Sequence, residues 1–174
     1  IFMFVDLISS TNIAEKLGNE KYHLFLRDFY ADITNAIIYN KGEIYQYVGD
    51  EIVISWKLAA GIDDNHCLKC YFDMRKTIIG LQEKYEVKYG LVPDFKAGLH
   101  YGKVIAGEIG IIKRDITFSC YLLNTAARIQ SKCNEYKVKI LSSDALLQKL
   151  PFDNHYKRIQ IGDIELKGKE TKVA

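Results

Sequence analysis

The first hundred positions alternate between apolar runs of strand length and stretches with helical spacing. Residues 1–5 (IFMFV) form an apolar, β-prone run that predicts a buried strand. Apolar residues then recur every three or four positions at Tyr22, Phe25, Leu26, Phe29, Ile33 and Ile37, and later at Tyr71, Met74, Ile78, Leu81 and Tyr85. This spacing is typical of two amphipathic helices, the first ending at Gly42 and the second near Gly90.

Two strands are predicted between these helices. Residues 43–48 and 52–56 are apolar and β-prone, and they flank Gly49-Asp50, a pair typical of a tight hairpin turn. A second pair of strands, joined at a glycine, is predicted over 95–101 and 103–108. The order β-α-β-β-α-β is that of the split βαβ plan. The predicted fold class is therefore α+β, with a ferredoxin-like βαββαβ core followed by additional strands and helices.

The pattern after Gly110 is less regular. Shorter elements are predicted there: a helix over 122–132, a strand over 138–141, a serine-capped helix over 143–150, and a hairpin over 156–166. Neither repeats nor a linker-like stretch divides the chain, so residues 1–174 are predicted to form a single domain. Because the chain opens directly on a strand, we expect this domain to have been cut from a longer protein.

Composition narrows the classes of function. The chain has 174 residues, 48% of them hydrophobic, which is enough for one domain with a real core. A net charge of +2 argues against a strongly basic nucleic-acid surface, so no nucleic-acid partner is expected. No apolar run approaches the roughly 20 residues that span a bilayer, so this segment itself is not expected to contact a membrane.

Four cysteines, Cys67, Cys70, Cys120 and Cys133, include one closely spaced pair, but no second pair at zinc spacing. We interpret them as structural or free thiols of a reducing compartment. The expected location is therefore the cytoplasm. Tethering to a membrane or sensor segment elsewhere in a longer protein stays open.

Two aspartates lie at predicted strand ends. Asp6 follows the first apolar run, and Asp50 lies in the turn of the predicted hairpin. The ferredoxin-like plan places the first strand beside this hairpin, so the two carboxylates can approach each other. Carboxylates at close range repel unless a divalent cation lies between them, so the pair indicates a metal site. The alternative from spacing alone is that Asp6 caps the next helix and Asp50 serves the turn.

A second group of polar residues suits a nucleotide. Asn124 and Arg128 are one turn apart on a predicted helix, where an amide and a guanidinium can bind a sugar oxygen and a phosphate. An ordinary surface helix with an ion pair is the alternative. Lys167, near the end of the chain, is suited to phosphate as well, or is simply solvated.

These residues lie within a series of short blocks. The blocks are 4–11 (FVDLISST), 47–51 (YVGDE), 97–104 (AGLHYGKV), 107–110 (GEIG), 123–129 (LNTAARI) and 166–169 (LKGK). In this order, and along nearly the whole chain, they resemble the class III nucleotidyl (adenylyl/guanylyl) cyclase catalytic domain of the bacterial homodimeric type. The resemblance implies a lyase that forms 3′,5′-cyclic AMP and pyrophosphate from ATP.

The resemblance also implies a metal site and a phosphate site. Asp6, Asp50 and the backbone carbonyl of Leu7 match the ligands of two Mg²⁺ or Mn²⁺ ions per active site. Those ions would activate the ribose 3′-OH for attack on the α-phosphorus and bind the leaving pyrophosphate. The backbone turn that surrounds the triphosphate in the family corresponds to Ile8, Ser9, Ser10 and Thr11.

The other residue roles that the resemblance implies divide each active site between two chains. Asn124 matches the residue that orients the ribose, Arg128 the one that stabilises the transition state, and Lys167 the one that binds the terminal phosphates. Members of the family assemble their sites at the interface of a head-to-tail dimer. One subunit of a homodimer would therefore supply Asp6 and Asp50, and the other Asn124, Arg128 and Lys167.

The choice of base is implied by two positions. Gln46 stands where adenylyl cyclases often carry lysine and guanylyl cyclases glutamate. Thr117 stands where adenylyl cyclases often carry aspartate or threonine and guanylyl cyclases cysteine. Because both side chains can donate and accept hydrogen bonds, they do not exclude guanine. We expect ATP as the substrate, with GTP as the alternative.

One departure from the family favours a different reading. Cys120 and Tyr121 stand where the family has a glycine and a small polar or acidic residue. A catalytically weak or silent nucleotide-binding module that dimerises is therefore an alternative. A palm-type polymerase or diguanylate cyclase shares the core plan, but the helix with Asn124 and Arg128 and the missing Gly-Gly-Asp-Glu-Phe turn argue against it. His100 is expected only to pack near a turn.

Overall fold

The computed structural model describes residues 1–109, 115–118, 121–151 and 156–162. The strands are β1 (Phe2–Leu7), β2 (Glu43–Val48), β3 (Glu51–Ser55), β4 (Phe95–His100), β5 (Ala106–Ile109), β6 (Asp115–Phe118) and β7 (Ile140–Ser142). The α-helices are α1 (Ser10–Leu17), α2 (Asn19–Tyr39), α3 (Leu58–Ile62), α4 (His66–Gly80), α5 (Gln82–Tyr89), α6 (Tyr121–Lys132) and α7 (Asp144–Leu147). A 3₁₀ turn, Asp63–Asn65, joins α3 to α4.

Five strands form the main sheet in the order β2-β3-β1-β4-β7. The central strand β1 pairs antiparallel with β3 on one side and β4 on the other, and β7 adds to β4 in parallel. The order of the first four strands is that of the split βαβ plan. The predicted α+β class with a ferredoxin-like core is therefore confirmed.

Strand β1 is covered on both faces, which explains the continuous apolar run over residues 2–5. Met3, Val5 and Leu7 join the large core, to which α2, α4 and α5 contribute. Phe2 and Phe4 point to the opposite face, where a smaller cluster includes Leu122 and Ala126 of α6. Since side chains alternate along a strand, Asp6 lies on the same face as Phe2 and Phe4, under α6.

The first long helical prediction is confirmed as the continuous helix α2, whereas the second is divided in the structure. A break at Gly18, with φ +73°, separates α2 from the shorter α1, because a left-handed φ interrupts a helix. The second predicted helix is α4 and α5, which meet at Leu81. The predicted serine cap is confirmed, since Ser143 Oγ accepts a hydrogen bond of 3.4 Å from the amide of Leu146 at the start of α7.

The predicted pairing across Gly102 is wrong. Both edges of β4 are already taken by β1 and β7, so the segment after Gly102 cannot pair with it. Residues 101–105 are irregular, and β5 pairs instead with β6, a strand that the sequence pattern did not predict. Of the predicted terminal hairpin, residues 156–162 are not in a strand, and 163–166 lie outside the described residues.

Three cysteines lie in the interior. Cys67, Cys70 and Cys133 are free and buried, and burial raises the pKa of the Cys67 thiol to about 12 and that of Cys133 to about 11. These thiols therefore stay protonated and unreactive at neutral pH. Cys120 lies outside the described residues. In the described part of the chain, no helix is both long and apolar enough to cross a membrane.

Candidate functional site

The end of β1 and the β2–β3 turn meet at one edge of the main sheet. Asp6 lies directly opposite Glu51 in the antiparallel register of β1 and β3. Asp50 precedes Glu51 in the turn, where Gly49 adopts the left-handed φ of +62° that the tight reversal requires. The structure therefore brings both predicted aspartates to the same place and adds Glu51, a third carboxylate that the sequence interpretation did not include.

These carboxylates repel one another. Burial, followed by the nearby charges of Asp6 and Asp50, raises the pKa of Glu51 to about 7. Burial also raises the pKa of Asp6, while hydrogen bonds from Lys96 and Gln130 act in the opposite direction. A partly desolvated group of acidic side chains is an environment that favours a bound cation.

Two long side chains hold the carboxylate of Asp6. The ammonium of Lys96, on β4 directly opposite Asp6, lies 3.2 Å from Asp6 Oδ2. The side-chain amide of Gln130, on α6, donates to the same oxygen over 3.0 Å. Neither residue was predicted to belong to the site. Asp6 does not cap the following helix, whose N-cap residue is Ser9.

The segment after β1 forms the N-terminus of α1. Leu7 is buried at the end of the strand, and the Ile8 amide donates a hydrogen bond of 2.8 Å to the carbonyl of Asp94. Ser9 has a φ of +61°, and its side chain makes no capping hydrogen bond. The first amides of a helix have no partner within the helix, so those of Ser10 and Thr11 suit an anion.

A tyrosine of α2 supports the turn that carries Asp50. The hydroxyl of Tyr30 donates a hydrogen bond of 2.9 Å to the carbonyl of Gly49. Its ring lies 4.7 Å from that of Tyr47 on β2, centroid to centroid. Burial, and then the charge of Asp50, raises the pKa of Tyr30 well above its usual range. The phenol therefore stays protonated and available as a donor.

The two predicted base-binding positions lie on strands that touch. Gln46 is exposed on β2, next to an irregularity in its pairing with β3. Thr117 lies on β6, opposite Gly107. The rings of their neighbours Tyr45 and Phe118 pack with centroids 5.0 Å apart. The smaller sheet therefore lies against the edge of the larger one at these two positions.

Helix α6 carries its candidate site residues on two sides. Asn124 is exposed and Arg128 half-buried, one turn apart as predicted. Gln130, which contacts Asp6, is about 200° around the helix axis from Arg128. The predicted amide–guanidinium pair therefore faces away from the carboxylates of its own chain. Lys167 lies outside the described residues.

The donor atoms near Asp6 and Asp50 fit a hard divalent cation. Carboxylate oxygens are ligands that Mg²⁺ and Mn²⁺ accept, with the remaining positions filled by backbone carbonyls, water or phosphate. In the described residues, no group of three or more His, Cys, Asp or Glu side chains is arranged to hold a metal. The fit therefore depends on two aspartates rather than on a complete protein cage.

The whole chain, residues 1–174, matches the family described as the adenylate and guanylate cyclase catalytic domain. One relative, adenylate cyclase 2 of Rhizobium meliloti (strain 1021), is 33% identical over 174 residues, which cover 100% of this chain and 48% of the relative. The chain thus spans about half the length of this relative.

Two solved structures share the fold. That of the adenylyl cyclase CyaB from P. aeruginosa has a TM-score of 0.82 and 20% identity, covering 99% of this chain and 89% of that one. That of the guanylyl cyclase Cya2 has a TM-score of 0.80 and 18% identity, covering 99% and 87%. Because the family match extends over its full length, the chain belongs to the adenylate and guanylate cyclase catalytic domain family.

Proposed function

We propose that this chain is the catalytic domain of an adenylate cyclase, which converts ATP to 3′,5′-cyclic AMP and pyrophosphate. The observation that carries the proposal is the meeting of Asp6 with the Gly49-Asp50 turn at one edge of the sheet. Such a pair suits a nucleotide triphosphate whose phosphates arrive with divalent cations. The adenylate cyclase relative supports the same activity.

In this proposal, Asp6, Asp50 and the carbonyl of Leu7 would hold two Mg²⁺ or Mn²⁺ ions. When bound, these ions would supply Lewis acidity to the ribose 3′-OH and positive charge to the leaving pyrophosphate. The chain binds the triphosphate through the amides of 8–11 at the start of α1, where the helix dipole also favours negative charge. Glu51 lies beside this site, directly opposite Asp6 in the strand register.

The other half of each site comes from a second copy of the chain. Asn124 orients the ribose, and Arg128 stabilises the charge that develops on the α-phosphate. The orientation of these residues on α6, away from the carboxylates of their own chain, supports a head-to-tail homodimer with two equivalent sites. Lys167 binds the terminal phosphates from the same side of the interface.

Gln46 and Thr117 read the base. Their strands are in contact through Tyr45 and Phe118, which supports a shared role. An amide and a hydroxyl can together accept from the adenine amino group and donate to a ring nitrogen. GTP is the alternative substrate, because the same side chains can reverse their donor and acceptor roles. The free buried thiols are consistent with a reducing compartment, so we place the domain in the cytoplasm.

One assay tests this function. The purified protein is incubated with ATP or GTP and either Mg²⁺ or Mn²⁺, and cyclic products are separated from linear ones. We expect cyclic AMP from ATP in excess of cyclic GTP from GTP, and loss of both in Asp50→Ala. Cyclic GTP as the main product would reassign the base.

The alternative of a silent module has its own outcome in this assay. A dimer, confirmed by sedimentation, that forms no cyclic product from either nucleotide would contradict the proposed activity. Replacing Cys120 and Tyr121 by glycine and aspartate then asks whether these residues restrain the site. Recovery of cyclic product in that variant would assign the defect to them, since Tyr121 begins the helix that carries Asn124.

A further inference from the structure

We propose that Lys96 is a positioning residue whose ammonium serves as a counter-cation for the three carboxylates of Asp6, Asp50 and Glu51. It holds Asp6 in place before a divalent ion arrives, and it weakens the binding of that ion by competing for the same oxygen. The inference rests on the proposed function, because it concerns the metal site assigned there.

The position of Lys96 is unusual for a lysine. Its side chain is only 10% exposed, although lysine is almost never buried unless it is paired. The ammonium lies between two acceptors, Asp6 Oδ2 at 3.2 Å and Asn134 Oδ1 at 3.2 Å. Since Lys96 lies opposite Asp6 in the strand register, the backbone of β4 fixes this contact. The pairing of β1 with β4 therefore keeps the lysine beside Asp6.

The charge of Lys96 changes what the site can bind. Asp6 and Glu51 face each other on β1 and β3, with Asp50 in the adjacent turn, so acidic side chains are concentrated at this edge of the sheet. An ammonium at contact distance offsets part of that charge. It therefore stabilises the metal-free fold. It also lowers the gain from binding a divalent ion, because the ion must displace or share Asp6 Oδ2.

Gln130 provides an internal comparison. It donates to the same oxygen, Asp6 Oδ2, over 3.0 Å and is buried, but it is neutral. It therefore orients the carboxylate without offsetting its charge. If orientation alone mattered, replacing Lys96 or Gln130 would have the same effect on ion binding. If charge matters, replacing Lys96 strengthens the binding of the ion, whereas replacing Gln130 does not.

Metal binding without nucleotide separates these cases. Binding of Mn²⁺ to the purified full chain is measured by the electron paramagnetic resonance of free Mn²⁺, with thermal unfolding in EDTA and in excess Mn²⁺ as a second readout. The variants are Lys96→Met and Lys96→Gln, which remove the charge, Lys96→Arg, which keeps it, and Gln130→Met, which removes only a neutral donor.

We expect both charge-removing variants to bind Mn²⁺ at least tenfold more tightly than the unaltered protein. Their unfolding midpoints in EDTA should fall and then rise more steeply on addition of Mn²⁺. Lys96→Arg should match the unaltered protein, and Gln130→Met should bind no more tightly. Lys96→Gln keeps a polar side chain, so the comparison remains if Lys96→Met does not fold.

The outcomes distinguish this inference from the proposed function. Equal or weaker Mn²⁺ binding in Lys96→Gln, together with normal binding in the unaltered protein and its loss in Asp50→Ala, would overturn the role of Lys96 alone. Absence of Mn²⁺ binding in the unaltered protein would overturn the metal site and the role of Lys96 together.

Discussion

Gly98 of β4 lies directly against the backbone of Gln130 on α6. A Cβ atom placed on Gly98 would lie 2.2 Å from the amide nitrogen of Gln130 and 2.5 Å from its Cα. Backbone atoms cannot yield as a side chain would. This contact therefore sets the distance between α6 and the sheet, and with it the reach of the Gln130 side chain to Asp6.

Replacing Gly98 by alanine should force α6 away from β4. Overpacking of this kind costs about 3 kcal/mol of unfolding free energy, and displacement of Gln130 should also weaken Mn²⁺ binding. Chemical denaturation measures the first effect. Gly80→Ala is the matched control, because an added Cβ there meets nothing within 4 Å, and we expect no loss of stability. Equal stability of the two variants would contradict the close contact.

Removing the hydroxyl of Tyr30 should loosen the turn that carries Asp50. Tyr30→Phe loses a hydrogen bond of 2.9 Å to the carbonyl of Gly49 while keeping the ring contact with Tyr47. The expected result is Mn²⁺ binding weakened up to about fivefold, the equivalent of about 1 kcal/mol. Tyr39→Phe, at an 81% exposed position, should leave binding unchanged. A Tyr30→Phe protein with unaltered Mn²⁺ affinity would remove Tyr30 from the site.

The contact between α2 and α5 should give a pH-dependent contribution to stability. Asp28, with a side chain 13% exposed, accepts hydrogen bonds from the Lys88 ammonium at 2.6 Å and the Tyr89 hydroxyl at 2.8 Å. The hydrogen bond from Lys88 lowers the pKa of Asp28 below its usual range. Stability from a lowered carboxyl pKa is present above the unfolded value, near pH 4, and is lost as pH falls through the folded value.

Asp28→Asn should therefore lose about 1 kcal/mol at pH 7, and the difference from the unaltered protein should shrink below pH 4. Urea unfolding between pH 3 and pH 7 measures this. The control is Asp63→Asn, since the ion pair of Asp63 with Lys41 is exposed and should contribute little. A difference that persists unchanged at pH 3 would contradict the assignment of the effect to the charge of Asp28.

The base-binding assignment predicts a change of substrate. Replacing Gln46 by glutamate together with Thr117 by cysteine gives the residues typical of guanylyl cyclases. The ratio of cyclic GTP to cyclic AMP formation should rise at least about tenfold, because an unpaired polar group in the pocket rejects the wrong base. Gln46→Lys, the residue common in adenylyl cyclases, should keep the preference for ATP. An unchanged ratio in the double variant would place base recognition elsewhere.

The spacing of apolar residues and the turn residues predicted those parts of the fold that depend on neighbouring positions in the sequence. The first strand, the β2–β3 hairpin and the ferredoxin-like order were all readable from periodicity and from Gly49-Asp50. The meeting of Asp6 with the turn then followed from the topology. The pairing of β5 with β6 could not be predicted in this way. A glycine between two apolar runs indicates a hairpin whether or not the preceding strand, here β4, has a free edge.

The two partners of Asp6 are distant from it in sequence, so the local sequence pattern does not predict their contacts with it. Lys96 stands between a buried Phe95 and Ala97, where one lysine in an apolar run is easily taken for a solvated edge residue. Only the register of β1 and β4 places it opposite Asp6. Gln130 reaches Asp6 across 124 positions of sequence, through a helix that Gly98 allows to approach the sheet.

Mixing two inactive variants tests the central claim, a site completed by two chains, most directly. Asp50→Ala lacks a metal ligand and Asn124→Ala lacks the ribose contact, so each homodimer should be inactive. A mixed dimer restores one intact site of two, and random pairing makes half of the dimers mixed, so about a quarter of the unaltered cyclic AMP formation should return. No recovery in a verified mixed dimer, or activity in Asp50→Ala alone, would contradict the account.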